Sequence, residues 1–192
     1  HNGRRRQRQM CIRDSPLNKS IIQKHIENFT GHTEFLKKKF NANEVLMYMT
    51  NGNLHLGITT THLPLKEVPS FISRDLIKNK YKLLHHGLID IYKLANPKIA
   101  VLGINPHAGE SGTIGNEEQN VIMPAIDELR HEGYDANGPL SADTIFTQTK
   151  YDAVLSMYHD QALPVLKTID FHKTVNITLG LPFLRVSVDH GT

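Results

Sequence analysis

The sequence contains a single cysteine and no tryptophan among its 192 residues. The cysteine is Cys11, so residues 16–192 cannot use disulfides, thiolate nucleophiles or cysteine-based zinc sites. The sequence also lacks an apolar run near the roughly 20 residues that a transmembrane helix needs, and it starts without the apolar stretch of a signal peptide. We therefore expect no membrane partner and a cytoplasmic location.

Residues 16–192 carry no net positive charge. Residues 1–15 contain five arginines and one aspartate, whereas residues 16–192 contain 17 basic and 18 acidic side chains. The formal net charge of +3 therefore comes wholly from the leading segment, and the rest offers no basic surface for nucleic acid. We interpret residues 1–15 as a foreign or disordered leader and residues 16–192 as the folded part, truncated at both ends.

Hydrophobic periodicity predicts alternating helices and strands along residues 16–192. Four helices are predicted: one begins at Pro16, one begins at Thr33, and two extend over 73–94 and 116–131. Gly133 is the predicted C-cap of the last one. The predicted strands comprise a hairpin joined by Asn51-Gly52, with strands at 44–50 and 54–60, and three further strands at 98–104, 152–157 and 174–179. This alternation predicts an α/β fold with a mixed sheet.

Three histidines follow predicted strands: His62, His107 and His159. Ligands of open α/β sheets bind at the carboxyl ends of the strands. Three neutral imidazoles suit a divalent ion such as zinc and leave one coordination position open for a substrate. Each histidine taken singly is also compatible with a hydrogen-bonded or solvated side chain, so the spacing alone leaves both interpretations open.

Lys167, Asn176 and Arg185 follow His159 at predicted strand or loop ends, where two cations and an amide could hold an anionic substrate. The Gly-rich segment 105–115 could wrap a phosphate with its N–H groups, but it matches neither the Walker nor the dinucleotide fingerprint and could equally be a plain connection. The residues by themselves thus predict a metal-assisted α/β enzyme that acts on an anionic small molecule.

Seven sequence blocks, in order, resemble the 4-hydroxythreonine-4-phosphate dehydrogenase family of pyridoxal phosphate biosynthesis. The blocks are GHTEFL (31–36), TTHLPL (60–65), GINPHAGESG (103–112), NGPLSADTIF (137–146), YHDQALPVLK (158–167), VNITLGLPFLR (175–185) and SVDHGT (187–192). The resemblance covers about residues 16–192. Three common family glycines are replaced by Ala162, Ser111 and His172, and none of these replacements removes a ligand or an anion contact.

This resemblance implies a two-domain α/β/α sandwich with a mixed sheet, like that of the isocitrate and isopropylmalate dehydrogenases. It implies oxidation of the secondary alcohol of 4-phosphohydroxy-L-threonine by NAD or NADP, with a divalent metal such as zinc, magnesium or cobalt. The product is an amino-oxo phosphooxybutanoate, which decarboxylates to 3-amino-2-oxopropyl phosphate. Because the chain ends at His190-Gly191-Thr192, where the nucleotide loop should begin, we expect residues 16–192 to be a partial dehydrogenase with impaired cofactor binding.

The resemblance also assigns the site residues. It implies that His62, His107 and His159 bind one metal ion shared between the subunits of a homodimer. It implies that substrate is bound by five further residues: His32, Thr33, Lys167, Asn176 and Arg185. Lys167 could hold an anion or assist proton removal, and Asp143 and Asp160 rank lower, as partners that orient the histidines.

Several alternatives remain open on the sequence. Relatives within the family oxidise erythronate or threonate 4-phosphate, which the five substrate residues do not distinguish, whereas relatives that oxidise cyclic diols fit these residues least. A metal-dependent hydrolase using the same histidines would need no nicotinamide. A non-catalytic or nucleic-acid-binding role would depend on residues 1–15 alone.

Overall fold

The computed structural model describes residues 11–13 and 32–188. The helices are α1 (His32–Lys39), α2 (Val68–Phe71), α3 (Arg74–Tyr92), α4 (Met123–His131), α5 (Ala142–Ile145) and α6 (His159–Asp170). The strands are β1 (Cys11–Arg13), β2 (Leu46–Thr50), β3 (His55–Thr60), β4 (Ile99–Leu102), β5 (Ala136–Leu140), β6 (Ala153–Tyr158), β7 (Val175–Leu179) and β8 (Leu184–Val188). The helix predicted from Pro16 lies outside the described residues.

The eight strands form one mixed sheet in the order β1-β8-β7-β2-β3-β6-β4-β5. Strands β3, β6, β4 and β5 are parallel neighbours, whereas β8, β7, β2 and β3 pair antiparallel. The mixed sheet confirms the predicted fold class. Strand β1 pairs parallel with β8 and falls within the segment that we interpreted as a leader, whose origin stays a prediction.

Successive strand residues point to opposite sides of the sheet, and apolar residues occur on both sides. Helices therefore cover both faces. On one face, α3 and α4 pack Leu84 and Ile126 against Leu155 of β6. On the other face, α6 packs Leu163 and Leu166 against the sheet, together with α5. These buried side chains give the predicted three-layer arrangement; the boundary between two domains stays a prediction. Among the described helices, none is long and apolar enough to cross a membrane.

Helix α3 illustrates why the predicted elements form. Its buried residues recur at helical spacing, including Ile77, Tyr81, Leu84 and Leu88. The Ser73 hydroxyl caps the first turn by accepting from the N–H of Leu76 at 3.2 Å, and the helix ends at a left-handed residue just after Tyr92. The predicted range 73–94 therefore agrees with the observed helix.

Most of the other predicted elements are also present. The hairpin pairs β2 with β3 from Met47 opposite Ile58 to Thr50 opposite His55. The three further predicted strands correspond to β4, β6 and β7. The region 116–131 differs, since it begins with a π-helical turn at Glu118–Ile122 before α4. The sequence prediction missed six short or proline-containing elements: β1, α2, β5, α5, α6 and β8.

Gly180, in the turn between β7 and β8, and Gly133, after α4, form a matched pair. Their φ angles are +92° and +91°, but a Cβ on Gly180 would lie 2.4 Å from the carbonyl oxygen of Glu44, whereas a Cβ on Gly133 would meet nothing within 4 Å. Replacing either with alanine costs left-handed strain of about 1–2 kcal/mol. Only Gly180→Ala also forces backbone apart, adding about 1–3 kcal/mol.

We predict that in the full-length protein Gly180→Ala lowers the free energy of unfolding more than Gly133→Ala does. Urea unfolding followed by circular dichroism measures both changes. Equal destabilisation by the two substitutions would contradict the packing of this turn against Glu44.

Candidate functional site

The carboxyl ends of four parallel strands meet at one edge of the sheet. Strands β3, β6, β4 and β5 are neighbours in that order. The segments that leave these strands contain His62, His159, His107 and Asp143, respectively. The topology therefore brings residues that are far apart in sequence to a single edge, as the sequence analysis expected.

His62 and His159 lie side by side at this edge. Their ring centroids are 5.7 Å apart, since β3 pairs directly with β6 at Thr60 opposite Tyr158. His62 is exposed, and His159 is the half-buried first residue of α6. Nδ1 of His159 lies 2.7 Å from Oδ1 of Asp160. Because a carboxylate only accepts hydrogen bonds, Nδ1 carries the proton and Nε2 is left as the donor atom for a metal.

His107 has a similar arrangement on the turn Pro106–Gly112. Its Nδ1 donates to Oε1 of Glu110 at 2.5 Å, and its Nε2 lies 3.8 Å from Oδ2 of Asp143. The hydrogen bond from His107 to Glu110 and the charge of Glu110 raise the pKa of His107, with a smaller contribution from Asp143. The side chain of His107 is 60% exposed.

The three histidines do not form one ligand cluster within the chain. Among residues 11–13 and 32–188, no group of three histidine, cysteine or carboxylate side chains is arranged to hold a metal ion. The structure brings His62 and His159 together and pairs His107 with Asp143. The donor chemistry fits a metal, because carboxylates fix Nδ1 of His107 and His159. The assignment of all three to one ion stays a prediction.

A cavity of about 230 Å³ opens beside His107. Its lining includes Ser141, Asp143, Tyr158 and Gln161. Gln161 connects two strand ends, since its Oε1 accepts from the N–H of Met157 at 2.7 Å and its Nε2 donates to the carbonyl of Gly103 at 2.6 Å. Sequence reasoning singled out neither Gln161 nor Glu110. A polar residue one turn into a helix that follows a buried strand is the signal that could have found Gln161.

A second polar group lies on the antiparallel half of the sheet. Arg185 of β8 is only 6% exposed. Its Nη1 donates to Oγ1 of Thr33 at 2.9 Å and to Oγ1 of Thr178 at 2.8 Å. Asn176 of β7 has a buried Oδ1 for which the described residues offer no hydrogen-bond partner. A buried, unpartnered amide oxygen is unusual and fits a position that a ligand satisfies.

Asn176 and Arg185, two of the predicted substrate residues, lie on the same face of the sheet. Ile177 and Leu179 pack toward α3, so strand alternation places Asn176 and Thr178 on the opposite face, which α6 covers. Lys167 lies on α6 and is half-buried. His32 is the first residue of α1, and its side chain lies outside the described ones. The structure thus joins Thr33 to Arg185, whereas the substrate role of all five residues stays a prediction.

The Gly-rich segment 105–115 is a turn with an unusual backbone. Residues 107–111 all have positive φ. The N–H groups of Ile104 and Asn105 both donate to Oε1 of Glu118 at 2.7 Å. The entrance to this segment therefore already binds a carboxylate of the chain, which favours a structural connection over a phosphate loop at that point.

The sequence of this chain is similar to those of known proteins. Residues 3–192 match the family described as pyridoxal phosphate biosynthetic protein PdxA. A 4-hydroxythreonine-4-phosphate dehydrogenase of Pseudomonas syringae pv. tomato is 49% identical over 182 residues, which are 93% of this chain and 55% of that protein. The chain therefore spans about half the length of this curated relative.

Two solved dehydrogenase structures have a similar fold. A 4-hydroxythreonine-4-phosphate dehydrogenase from Klebsiella pneumoniae superposes with a TM-score of 0.87 at 36% identity, covering 94% of this chain and 55% of the other. A terephthalate 1,2-cis-dihydrodiol dehydrogenase from Burkholderia xenovorans superposes with a TM-score of 0.78 at 25% identity, covering 95% of this chain and 57% of the other.

We predict that Glu110→Gln moves the pKa of His107 down toward its ordinary value, because the charged acceptor of Nδ1 is lost. Asp143→Asn is the matched control, since Asp143 lies farther away and should lower this pKa less. A heteronuclear NMR titration of the histidine rings in EDTA measures both effects. An unchanged pKa of His107 in Glu110→Gln would contradict the contact.

Proposed function

Since the chain belongs to the PdxA family of pyridoxal phosphate biosynthetic proteins, we propose that the whole protein oxidises 4-phosphohydroxy-L-threonine with NAD or NADP. The secondary alcohol becomes a ketone, and the resulting 3-oxo acid loses carbon dioxide because the new carbonyl accepts the electron pair of the breaking bond. The product is 3-amino-2-oxopropyl phosphate. The observation that carries this proposal is the 49% identity to a 4-hydroxythreonine-4-phosphate dehydrogenase, together with a polar edge that fits the reaction.

His62, His107 and His159 hold a divalent ion in this proposal. Such an ion would lower the pKa of the substrate hydroxyl and stabilise the negative charge that develops on its oxygen. Glu110 and Asp160 orient the rings by accepting from Nδ1 of His107 and His159. Imidazole nitrogen donors favour zinc or cobalt over magnesium, which prefers oxygen.

A homodimer would complete the ligand set. One chain brings His62 and His159 together but leaves His107 beside Asp143. In a dimer, the histidine pair of one subunit and the single histidine of its partner would supply three ligands to one ion. Sharing the ion between subunits would complete the ligand set without any rearrangement of the sheet within either chain. The observed arrangement therefore supports a shared ion.

The second polar group binds the anionic ends of the substrate. Arg185 is buried, and its Nη1 donates to Thr33 and Thr178, so the direction of its guanidinium group is fixed. A guanidinium in this position suits the bidentate recognition of a phosphate or a carboxylate. Asn176 and Lys167, with His32 at the start of α1, supply the further polar groups. This group supports a phosphorylated acid as substrate over an uncharged diol.

The test of the reaction uses the full-length protein. We expect NADH or NADPH to form with 4-phosphohydroxy-L-threonine, EDTA to stop turnover, and His107→Ala to abolish metal-dependent activity while the circular dichroism spectrum is unchanged. His131→Ala, at an exposed histidine at the end of α4, is the control that should retain activity. Full activity of His107→Ala in EDTA would overturn the metal mechanism. Preference for erythronate 4-phosphate would identify a sugar-acid phosphate as the substrate instead.

Lys167 provides a test of how the anion is bound. If its ammonium holds the phosphate or carboxylate, Lys167→Met should raise KM by about 10–100-fold, the equivalent of a lost charged hydrogen bond of about 1.5–3 kcal/mol. Lys167→Arg should then retain much of the affinity, with kcat nearly unchanged. If Lys167 instead removes a proton, both variants should lose kcat and the acidic limb of the pH profile should change.

Lys173→Met is the matched control for these variants. Lys173 lies just after α6, is 77% exposed and pairs with Asp170 at 3.2 Å, so its loss should leave both KM and kcat unchanged. Steady-state kinetics with varied substrate separate the outcomes. A wild-type KM and kcat in Lys167→Met would show that Lys167 neither binds the substrate nor removes a proton from it.

A further inference from the structure

Glu118 is a buried carboxylate beside the turn that carries His107. It is 2% exposed and is the first residue of the π-helical turn that precedes α4. Its Oε1 accepts from the backbone N–H groups of Ile104 and Asn105, each at 2.7 Å, and its Oε2 accepts from Nδ2 of Asn105 at 2.9 Å. One carboxylate therefore binds three amide donors at the point where the chain leaves β4.

Two glycines make room for this carboxylate. A Cβ on Gly103 would lie 2.9 Å from Oε1 of Glu118, and a Cβ on Gly109 would lie 2.6 Å from Oε2. Side chains at these positions would push the carboxylate away from its donors. The backbone on both sides of His107 is thus packed directly against Glu118.

The turn that follows Gly103 and includes Gly109 is strained. Its φ angles are +51° at His107, +52° at Ala108, +78° at Gly109, +42° at Glu110 and +57° at Ser111. Left-handed backbone is unfavourable for every residue with a side chain, because the Cβ atom comes too close to the following carbonyl oxygen. Such a conformation persists only where the surrounding structure fixes it. Glu118 provides that fixation, because it accepts from Ile104 and Asn105 before the turn and lies against Gly109 within it.

We propose that Glu118 is a positioning residue, whose carboxylate holds the left-handed turn and thereby fixes the direction in which His107 is presented. The inference rests on the proposed function for the role of His107 as a metal ligand. Glu118 itself binds no metal or substrate in this proposal. Its removal should therefore weaken metal binding through the backbone of the turn.

Glu118→Gln tests the proposal with little change in volume. The amide oxygen of the new side chain can accept from Ile104 and Asn105, but its NH₂ group then faces the NH₂ group of Asn105, so one hydrogen bond is lost. Glu117→Gln is the matched control. Glu117 accepts from the same Nδ2 at 2.7 Å, but in its half-buried position a glutamine can rotate and present its oxygen.

The first readout is the affinity of the full-length protein for Co²⁺, measured from its visible absorption. We expect Glu118→Gln to weaken Co²⁺ binding by at least about tenfold, as loss of supporting contacts around a ligand does elsewhere. Glu117→Gln should bind as the wild type does. Wild-type Co²⁺ affinity and spectrum in folded Glu118→Gln would overturn the proposal.

A triple variant exchanges the hydrogen-bond donor and acceptor roles among the side chains at positions 105, 117 and 118. In Asn105→Asp/Glu117→Gln/Glu118→Gln, the carboxylate at position 105 accepts from both glutamine NH₂ groups, while the amide oxygen at position 118 still accepts from the backbone. We expect this variant to regain Co²⁺ affinity, which a merely destabilising substitution would not. If Glu118→Gln does not fold, the triple variant decides: recovery of fold and affinity supports the proposal, and a triple variant that binds Co²⁺ weakly or stays unfolded overturns it.

A second readout needs no metal. Amide hydrogen exchange over residues 104–111 should be faster in metal-free Glu118→Gln than in the wild type and should return to normal in the triple variant. Unchanged exchange would overturn the inference. If His107→Ala keeps wild-type Co²⁺ affinity, the proposed metal site fails instead, and the exchange measurement still tests Glu118 independently.

Discussion

Four neighbouring parallel strands determine where the polar residues of this protein can meet. Because β3, β6, β4 and β5 run in one direction, every segment that follows them leaves from the same edge. The strands are held there by burial on both faces, with Leu155 and Ile58 fully buried on opposite sides. The pairing of these parallel strands therefore determines where His62, His107 and His159 lie. A substitution that shifted the register of the strands would displace all three.

The antiparallel half of the sheet contributes a different kind of chemistry. Strands β7 and β8 present Asn176 and Arg185 on the face that α6 covers. Burying a guanidinium is costly unless its N–H groups are satisfied, and the hydroxyls of Thr33 and Thr178 offset part of that cost. The mixed sheet thus joins a histidine-rich edge to the buried polar group around Arg185 within one hydrogen-bonded framework.

Local signals predicted the parts of the fold that depend on local rules. The spacing of apolar residues identified α3, and Asn51-Gly52 identified the hairpin. Strand β5 was missed because Gly138 and Pro139 are atypical of strands, and α6 because Pro164 lies inside it. The left-handed turn has no sequence signature, because four of its five residues carry side chains. Its conformation depends on a tertiary contact with Glu118.

Part of the candidate site could also be predicted from the sequence, because it too depends on a local rule. The rule that ligands bind at the carboxyl ends of strands selected the three histidines, and the structure places all three at that edge. Whether they share an ion depends on contacts that no strand pattern encodes.

Under the proposed sharing between subunits, metal binding and dimerisation must be thermodynamically linked. An ion that binds the dimer more tightly than the separated subunit strengthens association by the same factor by which association strengthens ion binding. The two histidines that lie together, His62 and His159, would set the affinity of the separated subunit, and His107 would set the additional affinity gained on pairing. The rigidity of the turn that carries His107 then has an energetic consequence, because a ligand fixed before association loses less entropy when the ion binds.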